Sequence, residues 1–185
     1  MRAPLADLEP ARRRRLLWVS LALWLLSGLA MLPLNAWLTD HGASIVDFEL
    51  ARDDAARYLD GWGDGTWRVT VSLILDYPFL VGYGVGSALL LLLLAGALER
   101  RTSGLAAVVG PAAWLPIAGA AFDAVENAFL LVVAADNTST WPDLAALAAT
   151  VKFVLLGLAL VVFAVGLVTL GVLSARRRAS PAPAP

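Results

Sequence analysis

LAAVVGPAAWLPIAGAAFDAVENAFLLVVAA, residues 105–135, is an apolar run interrupted by two charges, Asp123 and Glu126. A membrane-crossing helix needs about 20 predominantly apolar residues, and this run exceeds that. On a helix, positions i, i+3 and i+4 share one face, so Asp123, Glu126 and Asn127 form a single polar patch. Ionisable groups at membrane depth are costly and need partners, which makes the patch a candidate site.

Outward from this run, the chain repeats the pattern. Hydrophobic residues make up 59% of the 185 residues, which points to a membrane protein rather than a soluble domain. Three further apolar runs cover residues 16–38, 67–98 and 144–173. The reading is an all-α fold: a single four-helix transmembrane bundle over 16–173. A basic arm (1–15) precedes it, and an Ala/Pro-rich tail (174–185), expected to be disordered, follows. The first run is too long for a signal-peptide core of 7–15 residues.

The long connection, residues 39–66, carries seven acids against Arg52 and Arg57. Asp53 is placed to cap a short helix, Asp54 suits its first turn, and Gly61 and Gly63 end it. Tyr58, Leu59 and Trp62 fall on one side, so the helix is expected to rest on the membrane surface or on the bundle. Arg12–Arg15, Arg100–Arg101 and Arg176–Arg178 alternate along the chain with the acidic connections 39–66 and 136–143. By the positive-inside rule, both termini are expected in the cytoplasm and the short helix outside. Asn137-Thr-Ser139 matches a glycosylation acceptor, which carries no meaning in a bacterium.

Span two contains Asp76, Pro78 and Tyr83. Pro78 is expected to kink the helix beside the acid. Gly82, Gly84 and Gly86 permit close approach of a neighbour. Span four contains Lys152, the only lysine in the chain. At 1.5 Å per residue, Asp76, Glu126 and Lys152 lie roughly 14, 15 and 16 Å below one surface. Asp123 sits a turn deeper. Tyr83 is seven residues after Asp76, on nearly the same face.

Four uncompensated charges at mid-membrane would cost about 10–14 kcal/mol, at 2.5–3.5 each. They must pair, hydrate or neutralise. Lys152 offsets one acid, and Asn127 offers both donor and acceptor. Carboxylates suit magnesium or calcium, but a lysine among them argues against a further metal ion. With no cysteine and one histidine, thiolate and multi-histidine metal sites are excluded. The readings open here are a self-satisfied polar network, a ligand or proton site, and catalysis by an acid–base carboxyl pair.

The segments Phe48-Glu49-Leu50-Ala51, Trp62-Gly63, Asp76-Tyr77-Pro78-Phe79 with Tyr83, and Asp123-x-x-Glu126-Asn127 are carried together on this chain. Over residues 16–173 they resemble a group of small bacterial four-span integral membrane proteins with no established activity. The resemblance implies the fold and no catalytic role. The architecture is also similar to the sterol-isomerase and sigma-2-receptor-like superfamily, without aligned motifs. The Arg/Ala/Pro-rich composition resembles that of a high-GC bacterium, and location in a bacterial plasma membrane is the expectation. The expected function is binding of a small cationic or amphipathic ligand, or a proton, from the outer side. Asp76, Tyr83, Asp123, Glu126, Asn127 and Lys152 form the site, with no catalytic residue, metal or cofactor assigned. Membrane lipids are the expected partners, with no nucleic acid. The alternatives are an intramembrane lipid-modifying enzyme and a structural or accessory subunit.

Overall fold

The computed structural model describes residues 3–135 and 141–179, and these form helices and turns with no strand among them. Four stretches are long and apolar enough to cross a membrane: Pro10–Asp40, Ala55–Glu99, Ser103–Ala135 and Trp141–Arg177. The elements are α1 (Pro10–Asp40), α2 (Ile45–Glu49), α3 (Ala55–Trp62), α4 (Trp67–Glu99), α5 (Ser103–Val109), α6 (Trp114–Ala135) and α7 (Trp141–Ala179). The described residues form an all-helical bundle with a largely apolar exterior, compatible with a multi-pass membrane protein. Leu25, Leu26 and Leu32 on α1, and Leu160, Val161 and Val168 on α7, are 60–67% exposed. Helices apolar on all sides in this way are compatible with spanning a membrane.

The packing follows from small residues. α1 lies along α4, α4 along α6, and α6 along α7. A methyl group on Gly82 would meet the Trp24 amide nitrogen at 2.5 Å and the Ser20 carbonyl oxygen at 2.8 Å. Glycine is what lets the α1 backbone approach that closely. On the other side of α4, a methyl group on Gly84 would lie 2.7 Å from the Ala120 Cβ of α6.

Several boundaries differ from the sequence reading. α1 begins at Pro10, so Arg12–Arg15 are helical, with Pro10 at the helix N-terminus where its missing N–H costs nothing. α4 agrees with the reading of one span through Pro78, from Trp67 to Glu99. The third span is two helices, because Pro111 opens a 3-10 turn (Pro111–Ala113) after Gly110, while Pro116 sits in the first turn of α6. α7 runs on to Ala179, so its last turns occupy part of the expected disordered tail. The rest of that tail, 180–185, and the glycosylation pattern at 137–139 lie outside the described residues.

The connection between α1 and α4 holds two short helices, not one. α2 starts with a capping box: the Ser44 side chain accepts from the Asp47 amide, and the Asp47 carboxylate accepts from the Ser44 amide at 2.8 Å. The Ser44 bonds hold the Asp47 carboxyl below its ordinary value. α3 follows a 3-10 turn, Arg52–Asp54, and has no side-chain cap at its start. Gly61 lies inside α3. Gly63 ends it at φ 47°, a conformation that favours glycine. Phe48 and Trp62 are buried with Leu38, Val69, Leu73 and Val133, and Trp62 Nε1 donates to the Leu38 carbonyl at 3.2 Å. This segment is therefore packed onto the end of the bundle through its own core.

Candidate functional site

The polar residues converge below α2. Asp123, Glu126 and Asn127 come from the buried face of α6, and Lys152, also buried, reaches them from α7. Lys152 Nζ lies 2.7 Å from Glu126 Oε2, 3.0 Å from Asp123 Oδ1 and 3.3 Å from Glu49 Oε2. The contacts to Asp123 and Glu49 are hydrogen bonds. Glu126 forms an ion pair with the same ammonium. Tyr83 of α4 donates to Asp123 Oδ2 at 2.7 Å. Asp123 thus receives one charged and one neutral donor, one on each oxygen.

Asp76 stands apart. Its Oδ2 accepts from Asn127 Nδ2 at 2.6 Å, and no ammonium or guanidinium pairs with it among the described residues. Unlike Asp123 and Glu126 it is only half-buried. Among the described residues, buried Asn127 Oδ1 has no hydrogen-bond donor. A group of this kind carries a desolvation cost and marks an incompletely satisfied network.

Of the six residues singled out in the sequence, Tyr83, Asp123, Glu126 and Lys152 form one contacting set, and Asp76 and Asn127 form a hydrogen-bonded pair of their own. The structure adds Glu49. Sequence reasoning left Glu49 among the acids of a polar connection, yet it is 9% exposed and touches Lys152. Burial pushes its carboxyl above the ordinary value of 4.5, against the pull of the Lys152 ammonium; nearby Asp123 adds to the rise. A signal was present. Ser44-x-x-Asp47 announces a helix start, and Ile45, Phe48 and Glu49 then share one face.

One ammonium faces three carboxyl groups, so it offsets a single negative charge. The ammonium also sits between Glu49, Asp123 and Glu126. No group of three carboxyl or imidazole side chains among the described residues is arranged to hold a metal.

Beside this cluster lies a cavity of about 610 Å³. Glu49, Asp76, Asp123, Lys152 and the Tyr83 side chain line its polar end. Trp24, Phe79, Leu90, Leu156, Leu160 and Phe163 are among the apolar residues of the remainder. From Asp76 to Leu90 the α4 wall extends about 21 Å at 1.5 Å per residue. The cavity is therefore elongated along the bundle axis, charged at one end and apolar over most of its length. Its volume falls in the range of about 300–1,000 Å³ typical of small-molecule sites.

No family model, curated protein or solved structure matches the chain. The functional reading therefore rests on the geometry.

Proposed function

We propose that this protein binds an amphipathic molecule with a cationic head group inside the membrane. Asp76 is the anchor for the head, and the apolar cavity takes its body. The observation that carries this reading is the contrast among the carboxyls that line the cavity. Glu49 and Asp123 share Lys152, whereas Asp76 has only an amide donor and faces the open space. An unpaired carboxylate in an apolar enclosure attracts a cation strongly, because little solvent screens the pair. Lys152, Tyr83 and Asn127 hold the surrounding groups in position, and Glu49 ties α2 over the same end.

In this reading the protein sits in a bacterial plasma membrane with both termini in the cytoplasm. The Arg clusters support that orientation. Arg101, in the turn after α4, donates to Ser174 near the end of α7, so two of the clusters share one end of the bundle. The chain has no cysteine, so single-cysteine labelling is clean. A water-soluble maleimide added outside cells should label Asp64→Cys and leave Ser103→Cys unlabelled.

Binding is tested by calorimetry with dodecylammonium in lipid nanodiscs. Saturable binding by the wild type, weakened at least tenfold in Asp76→Asn, is the expected result. No saturable heat with the wild type refutes the reading. A second reading, an intramembrane lipid-modifying enzyme, is favoured by one observation: Asp76 and the Tyr83–Asp123 pair line the same apolar cavity, where an acid and a base could face one substrate. Conversion of membrane lipids by the wild type and not by Asp123→Asn, followed by mass spectrometry, would establish it.

A further inference from the structure

We infer that the occupant of this cavity reaches it sideways from the bilayer, between α1 and α7, and is a long-chain amine dissolved in the membrane. The inference rests on the binding reading and adds the source and shape of the ligand.

Three observations carry it. First, α1 lies along α4 and touches α2 at its end, while α7 lies along α6 with a shorter contact on α4. Among the described residues α1 and α7 share no extended packed face, and the cavity lies between them. Second, the residues on the two sides of that gap are apolar and face outward. Trp24 of α1 is 42% exposed, and Phe153 and Leu160 of α7 are 42% and 67% exposed, yet all three line the cavity. Third, the route from the α2 end is obstructed. The segment holding α2 and α3 is packed onto the bundle, and Glu49 fastens it to Lys152.

The depth of the gap decides the medium it opens to. Lys152 is eleven residues into α7, about 16 Å from its start, and Leu160 is about 12 Å deeper. This places the opening across the hydrocarbon layer, about 30 Å thick, where a hydrated ion finds no path. A primary amine carried on an alkyl chain partitions there, with its head near the level of Asp76. The charge match is to the one cavity carboxylate without a cation, and the elongated apolar wall matches a single chain.

Two measurements test this on the reconstituted full chain. Single cysteines at Leu160 and Phe153 carry nitroxide labels in nanodiscs, and collision with oxygen and with a water-soluble nickel chelate is read by electron spin resonance. Both labels should be oxygen-accessible and nickel-inaccessible, and dodecylammonium should reduce the oxygen collision rate. Next, association rates of dodecylammonium are compared for wild type, Leu160→Trp, Met31→Trp and Asp76→Asn. The bulky variants should slow association at least threefold, and affinity should follow the amine's mole fraction in lipid rather than its total concentration.

Nickel access to both labels overturns the sideways route. So do bulky variants that associate at the wild-type rate. Either result leaves the Asp76-dependent affinity, and thus the binding reading, intact. Tetramethylammonium binding as tightly as the long-chain amine overturns the assignment of a bilayer-derived ligand. Absence of Asp76-dependent binding by any amine refutes both readings together.

Discussion

Replacing Lys152 with methionine keeps an unbranched apolar stem and removes the ammonium. That ammonium lies 2.7, 3.0 and 3.3 Å from Glu126, Asp123 and Glu49. The carboxylate charge it offsets then has two fates. Left ionised in a buried position without a partner, it costs about 3–5 kcal/mol. Alternatively it takes up a proton. At pH 7, about 2.7 units above an ordinary glutamate value near 4.3, that uptake costs about 3.7 kcal/mol at 1.36 per unit. At pH 5 it costs about 1 kcal/mol. The cheaper fate governs. The expected loss is therefore about 3–4 kcal/mol at pH 7 and about 1 kcal/mol at pH 5. The sign follows from linkage: without the ammonium the folded variant binds more protons than the folded wild type, so the loss grows as the pH rises. Denaturant titration in detergent micelles, followed by tryptophan fluorescence at pH 5, 6 and 7, measures the difference. A loss under about 1 kcal/mol at pH 7, or equal losses at pH 5 and pH 7, refutes the assignment of Lys152 as the counter-charge.

Tyr83→Phe removes the 2.7 Å donor to Asp123 and should cost about 1.5–3 kcal/mol, the usual worth of a hydrogen bond to a charged group; the same titration reads it. Gly82→Ala should lower stability by about 1–3 kcal/mol through overpacking against the α1 backbone. Gly61→Ala, inside α3 with nothing near its added methyl, should raise stability by about 0.5–1 kcal/mol. Thermal unfolding in micelles distinguishes the two signs. The Glu49 carboxyl is raised above 4.5 by burial, so its protonated form is favoured in the folded state. Its contribution is present in full below 4.5 and declines as pH rises through the raised value. The stability of the wild type minus that of Glu49→Gln should therefore fall as the pH is raised from 4 to 8.

The four spans were legible because lipid imposes a simple rule, long apolar runs, and the chain obeys it on 16–38, 67–98, 105–135 and 144–173. The positions of Asp123, Glu126 and Asn127 relative to one another were legible for a similar reason: helical spacing is local. Lys152 stood out as a lone lysine in an apolar run, and depth counting along straight helices placed it level with the acids. Glu49 was harder to see. Its burial depends on α2 docking across the end of the bundle onto a residue 103 positions away, and no local pattern encodes that contact. The break at Gly110–Ala113 had visible cause in Pro111, but whether a proline kinks, ends or merely starts a helix depends on its neighbours in space. The cavity left no trace in the sequence at all. It arises where α1 and α7 fail to meet, and an absent contact has no periodicity.

The position of Lys152 in the last helix has a consequence for how the chain is made. Asp123 and Glu126 leave the ribosome before Lys152, whose ammonium they share, does. Until α7 is inserted, the earlier helices hold acids in the bilayer with no lysine to meet them. The nascent three-span species is thus under electrostatic tension that the final helix relieves. Arrival of one ammonium group converts a set of helices the membrane tolerates poorly into a bundle that holds together. A chain interrupted before residue 152 should accordingly be a ready target for membrane proteases, and supplying the last helix as a separate polypeptide should rescue it.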